Sequence, residues 1–131
     1  MSKINWLEKL GWSEEHLAEL RYAGYSYIKQ GKYDIALDFF EALIVLNPNS
    51  AYDLQTLGAL HMQLDHPARA LFYFDKALKV QPNHPATMLN LAKTFFTMGK
   101  TSEGLKVAQL LKNHLEPEIA NSAKALIMAY S

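Results

Sequence analysis

The chain of 131 residues carries 13 Lys plus Arg against 13 Asp plus Glu, is half hydrophobic, and has no cysteine. Zero net charge gives no electrostatic footprint for nucleic acid or an anionic membrane, and the absent thiols exclude disulfides and thiolate metal sites. The length suits one domain, no apolar run nears the roughly 18 residues of a membrane span, and Lys3, Glu8 and Lys9 break what a signal peptide would keep apolar.

In chain order, Ile4, Leu7 and Leu10 share one side of a short helix that Gly11 stops, within an N-terminal segment 1–12. The next segment, 13–50, reads as two helices. The first runs over about 13–30, with Ser13 as N-cap, Glu14 and Glu15 at its positive end, and Gly31 as its stop. The second runs over about 33–46 and breaks at Asn47-Pro48-Asn49. Segment 51–84 repeats the plan, with helices near 51–64 and 67–80, Pro67 in a first turn, and Gln81-Pro82-Asn83 as the stop. The match is periodic: Gly24, Ala36, Phe40 and Pro48 recur 34 residues later as Gly58, Ala70, Phe74 and Pro82.

Segment 85–117 follows the plan less closely, with helices over about 85–98 and 101–114. Gly104 stands where the earlier units have alanine, Ala108 replaces the phenylalanine, and the closing proline shifts by one to Pro117. The last segment, 118–131, reads as one amphipathic helix with Ile119, Ala123, Leu126, Ile127 and Tyr130 on a face. A period of 34 residues with this Gly, Ala, aromatic and Pro order resembles the tetratricopeptide repeat, a helix–turn–helix unit that stacks into a solenoid. The expected fold is therefore all-α: a single domain of three repeats, the third degenerate, flanked by an N-terminal helix and a C-terminal cap.

Stacking accounts for most apolar positions. Leu20, Tyr27, Leu54, Leu57, Met88, Leu91 and Phe95 fall where the first helix of each repeat meets its neighbours. Phe39, Phe40, Leu43, Leu46, Phe74, Leu78 and Val80 do so for the second helices. The repeat register then offsets another stripe toward the concave face. It takes Arg21, Tyr22, Tyr25 and Ile28 from the first repeat, Tyr52, Gln55, Ala59 and Met62 from the second, and Leu89, Asn90, Lys93 and Phe96 from the third. An idle surface would carry solvated charge. Aromatic and apolar residues point instead to a groove for an extended apolar peptide, with packing against the terminal helices as the competing role. Arg21, Asn90 and Lys93 alone do not complete a clamp for a C-terminal carboxylate, because Tyr25 and Ala59 stand where amides are needed.

The run Gly31-Lys32-Tyr33-Asp34-Ile35-Ala36 followed by Phe39-Phe40-Glu41-Ala42-Leu43-Ile44-Val45-Leu46-Asn47-Pro48 is more distinctive than a generic repeat. Leu43 stands where the second repeat has Ala77. This variant, with Leu57-Gly58-Ala59, the run from Leu91 to Lys100 and Ala108-Gln109-Leu110-Leu111, resembles the type III secretion translocator chaperones, the SycD/LcrH-like family, over about residues 20–115. The resemblance implies a bacterial cytoplasmic, virulence-associated chaperone that holds a hydrophobic secreted client, with the peptide contacts at Tyr22, Tyr25, Tyr52, Gln55, Ala59, Met62, Leu89 and Lys93. A chaperone of needle subunits and a general protein-interaction scaffold are the alternatives. It also suggests a homodimer through Ile4, Trp6, Leu7 and Leu10, although Trp6 and Trp12 can equally pack on the first repeat.

No enzyme chemistry is expected. The five histidines, His16, His61, His66, His84 and His114, do not pair on one helical face with an acidic partner, so no metal or other cofactor is implied. Gly99-Lys100-Thr101 lacks the upstream glycine of a phosphate loop.

Overall fold

Local sequence chemistry sets the helix boundaries. In a computed structural model describing residues 5–131, the described residues form eight helices and no strand: α1 Trp6–Leu10, α2 Glu14–Lys29, α3 Tyr33–Leu46, α4 Ala51–Gln63, α5 Pro67–Val80, α6 Pro85–Thr97, α7 Thr101–Leu111 and α8 Pro117–Tyr130. The side chains of Ser50 and His84 accept from the backbone N–H groups of Asp53 and Thr87, satisfying first-turn donors of α4 and α6. Pro67, Pro85 and Pro117 open their helices at the one turn where a missing N–H costs nothing. At the start of α2, His16 Nδ1 accepts the Ser13 N–H at 3.0 Å, and Trp12 stacks on the same imidazole at 5.4 Å between ring centroids.

The helices pair as α2 with α3, α4 with α5, and α6 with α7, and each pair stacks on the next, ending on α8. All of them are too short or too polar to cross a membrane. Leu17, Ala36, Phe40, Leu43, Leu57 and Leu60 form one core cluster, which Leu7 of α1 also joins. A second cluster, Leu89, Leu111, Ile119 and Ala123, joins α6, α7 and α8. Each fully buried large side chain contributes about 1.5–3 kcal/mol, so Phe40 and Phe74, both 0% exposed, are principal anchors of their repeats.

Glycine makes these anchors possible. A Cβ on Gly24 would lie 2.8 Å from the Phe40 ring, and one on Gly58 would lie 2.5 Å from that of Phe74. In the third repeat the large and small partners exchange helices. Ala108 leaves no ring on α7; Phe96 of α6 supplies one, and a Cβ on Gly104 of α7 would come within 2.7 Å of it. The Phe96 ring also stacks on Tyr130 of α8, with centroids 4.0 Å apart. A second periodic pair lies nearby: Tyr27 packs on Phe39, and His61 packs on Tyr73 34 residues further on, both at 5.4 Å.

Three expectations need correction. Helix α7 ends at Leu111 rather than His114, and the chain is extended by Glu116, which precedes a proline (φ −78°, ψ 115°). The chain turns there, and His114 Nδ1 accepts the Glu116 N–H at 3.1 Å. Val80, at the end of α5, is exposed and not part of the core. Of the expected α1 contact residues, Leu7 packs inward, Trp6 and Leu10 are exposed, and Ile4 lies outside the described residues.

Candidate functional site on the concave face

First helices α2, α4 and α6 carry the expected stripe. Its best-defined feature is a pair of side-chain couples spanning α2 and α4. The rings of Tyr25 and Tyr52 lie stacked at 6.5 Å and 12°, each with more than two-fifths of its surface exposed. Burial of the phenol, and then the neighbouring Tyr25 hydroxyl, push Tyr52 up to about 12, so it stays neutral at any physiological pH. Beside them Arg21 donates through Nε and Nη2 to the two carboxylate oxygens of Asp53, each at 2.7 Å. The Asp53 side chain is 0% exposed and that of Arg21 27%. The hydrogen bond to Asp53 raises the Arg21 pKa further against the opposing effect of burial. Arg21 therefore belongs to the α2–α4 seam: its charge is already neutralised, and its guanidinium lies 6.0 Å from the Tyr52 ring centre.

Two adjoining cavities open between the helices. One, of about 200 Å³, is lined by Ile28, Tyr33, Thr56, Ala59, Leu60 and Gln63. The other, of about 240 Å³, is lined by Ala59, Met62, Gln63, Phe74, Asn90 and Lys93. Ala59 and Gln63 belong to both walls, and a small side chain at Ala59 leaves the space open. Of the expected residues, Ile28, Ala59, Met62, Asn90 and Lys93 thus gather at these cavities. A third, wider cavity of about 440 Å³ lies at the other end of the seam against Glu14, Arg21, Asn47, Ser50 and Tyr52. Gln55 is half-buried on α4, and Tyr22 stands 75% exposed on α2.

Leu89 and Phe96 are not groove residues. Leu89 is 8% exposed and packs with Leu111 and Ile119, while Phe96 is 6% exposed between Gly104 and Tyr130. The α6 stripe turns inward at these two positions because α8 covers it. Sequence spacing had no access to Thr56, Gln63 or Tyr33 as wall residues, although all three follow from the same helical faces once the pairs are packed.

Buried chemistry also exists away from the groove. His61, 1% exposed, places Nδ1 3.5 Å from Nδ1 of His66, and its Nε2 has no hydrogen-bond partner. Desolvation, then the charges of His66 and Arg69, lower its pKa, so it is held as a neutral imidazole against Tyr73. Among the described residues no three His, Asp or Glu side chains converge as a metal site.

The tetratricopeptide repeat family matches this chain over residues 23–95. This chain belongs to the tetratricopeptide repeat family. A relative within the cellulose synthase operon protein C of Pseudomonas fluorescens is 30% identical over 101 residues, 77% of this chain; the chain spans only 8% of that protein's length. Among solved structures, PcrH of Pseudomonas aeruginosa in complex with the chaperone binding region of PopD is 26% identical, with a TM-score of 0.82 over 92% of this chain and 94% of that one. The Yersinia enterocolitica type III secretion chaperone SycD, in complex with a peptide of the translocator YopD, superposes with a TM-score of 0.84 over 90% of this chain and 94% of its own at 20% identity. The tetratricopeptide architecture of this protein is thus shared along nearly its whole length with chaperones of translocators.

Proposed function

We propose that this protein is a bacterial cytoplasmic type III secretion chaperone that holds an extended apolar segment of a secreted, translocator-like client in its concave groove. The adjoining cavities at Ala59 carry this reading. The cavities share Ala59 and Gln63 and so lie side by side, and a polyproline II chain, which returns to the same face every third residue after about 9 Å, would present two apolar side chains to them. The exposed Tyr25–Tyr52 pair adds rigid, neutral aromatic surface beside them. A client with membrane-inserting segments aggregates unless such strips are covered, and covering them requires binding without a catalytic step. The solved PcrH and SycD complexes support the same role by similarity. A homodimer through the exposed Trp6 and Leu10 belongs to this reading.

Affinity capture from the source cell, wild type beside Tyr25→Glu and Tyr52→Glu, tests the proposal. A secreted, membrane-active protein held by the wild type alone is the expected result, with unchanged helix content in both variants. The stretch similar to cellulose synthase operon protein C, of whose length this chain spans 8%, supports a second reading, a scaffold. Resident soluble partners held equally by all three proteins would establish the scaffold and refute the groove.

A further inference from the structure

The groove has an unevenly distributed charge. Of its two cations, Arg21 is consumed by Asp53 in a two-pronged ion pair. Lys93 is different: it is exposed on α6, lines the cavity floored by Met62 and Phe74, and forms no ion pair among the described residues, where Lys79–Asp75 is the other pair present. Asn90, one helical turn before it, and Gln63, across on α4, complete a polar rim to this cavity. The neighbouring cavity, between Ile28 and Leu60, has only Thr56, Gln63 and the Tyr33 hydroxyl to offer a ligand and no cation. One apolar cavity is therefore neutral and the other has an ammonium at its edge.

We propose that the groove selects a client segment in which the apolar residue entering the Met62–Phe74 cavity has an Asp or Glu side chain within two residues of it, paired with Lys93. This rests on the groove reading above and goes beyond it by specifying the client's charge. The position and rim of the cavity argue for a side-chain carboxylate over a chain terminus. It adjoins the Ile28–Leu60 cavity, and its rim offers one ammonium and two amides while Arg21 is already paired with Asp53, fewer donors than a clamp for a terminal carboxylate needs. The pair would be exposed, and such pairs give modest preferences of about two- to five-fold in affinity. Its value is discrimination: a basic residue at that place meets like charge, and a purely apolar segment leaves the ammonium without a partner.

The test uses a displayed library of 12-residue random peptides fused at both ends, so that no free terminal carboxylate exists, selected against wild type, Lys93→Ala and Lys93→Glu. Wild type is expected to enrich pairs of apolar residues with Asp or Glu near one of them. Lys93→Ala should keep the apolar pair and lose the acid, and Lys93→Glu should favour Lys or Arg there. For one selected peptide, changing its acid to the amide should weaken wild-type binding about two- to five-fold at low salt and leave Lys93→Ala unaffected. The difference should vanish at 1 M salt, where screening reaches about 3 Å. Apolar enrichment with no acidic preference, or an acidic preference surviving in Lys93→Ala, overturns the proposal while leaving the groove reading intact. Enrichment only in a parallel library with free C-termini overturns it in favour of a terminal carboxylate. Failure to enrich any apolar peptide in either library overturns the groove reading and this inference together.

Discussion

Gly104→Ala puts the exchanged packing of the third repeat to a quantitative test. The added Cβ would lie 2.7 Å from Cε1 of Phe96 and 2.8 Å from Cδ1 and Cζ. Carbon atoms settle at about 3.5–4.0 Å, so the ring must retreat by roughly 0.8 Å. It has nowhere to go cheaply, because Tyr130 is stacked on it at 4.0 Å. Overpacking of this kind costs about 1–3 kcal/mol. In the interior of α7 the same substitution gains about 1 kcal/mol of helix propensity, which leaves a net loss of about 1 kcal/mol. Phe96→Leu withdraws the ring edge, so Gly104→Ala made in that background should recover its propensity gain and stabilise. Urea unfolding followed by far-ultraviolet circular dichroism, applied to both singles and the double, yields the coupling directly; about 1–2 kcal/mol is expected for residues in contact. If Gly104→Ala alone stabilised by the full propensity gain, or if the two changes were additive, Phe96 would not occupy that place.

Arg21→Ala strips the fully buried Asp53 of its partner and should destabilise by about 3 kcal/mol, at the low end for broken buried pairs because Arg21 keeps some solvent access. In urea unfolding, Arg21→Met with Asp53→Leu should cost much less than Arg21→Ala. Acid should weaken the fold through His61. Its folded pKa lies below its ordinary 6.5, so the unfolded chain takes up a proton that the folded one refuses. The stability contributed by neutral His61 is complete above pH 6.5 and falls as the pH drops below it; His61→Phe should flatten the unfolding midpoint between pH 7 and pH 5. Sedimentation over a wide concentration range tests the homodimer: mass should rise with concentration in the wild type and stay monomeric in Trp6→Asp. A wild-type mass independent of concentration would dispose of it.

Boundaries were readable because their causes are local. Ser50, Pro67, Pro85 and Gly31 act within one turn, and the helices beside them begin or end within a residue of expectation. The repeat interval likewise marks Gly24, Phe40, Gly58 and Phe74 as recurring positions, and the structure packs each glycine on its phenylalanine. The interval misleads where the third repeat keeps it but exchanges the partners. Register alone puts Phe96 on the groove stripe, whereas its ring packs on Gly104, and the joint departure of Gly104 and Ala108 from the pattern is the signal of that exchange. The pairing of Arg21 is not legible from spacing for a related reason: its partner lies on the next repeat, and only a carboxylate at Asp53 in an apolar stripe beside Leu54 and Leu57 hints at it. His61 occupies the column of Tyr27 and Phe95, so its ring stacking was implicit in the period, while its approach to His66 depends on the turn between α4 and α5.

The seam between α2 and α4 is built unlike those that follow it. The backbones of α4 and α6, and of α6 and α8, approach closely, whereas no Cα of α2 comes within 8 Å of one of α4. Two side-chain couples, Arg21–Asp53 and Tyr25–Tyr52, bridge that distance. The Arg21–Asp53 couple is buried and fixed in geometry by two hydrogen bonds, whereas the Tyr25–Tyr52 rings are exposed. The first joint is therefore closed by backbone packing along its second-helix side, where α3 meets α4, and by side chains alone along its groove side. The groove wall at this joint is thus made of two aromatic rings and an ion pair instead of helix backbone, so its surface chemistry is set by four side chains that substitution can change without moving a helix.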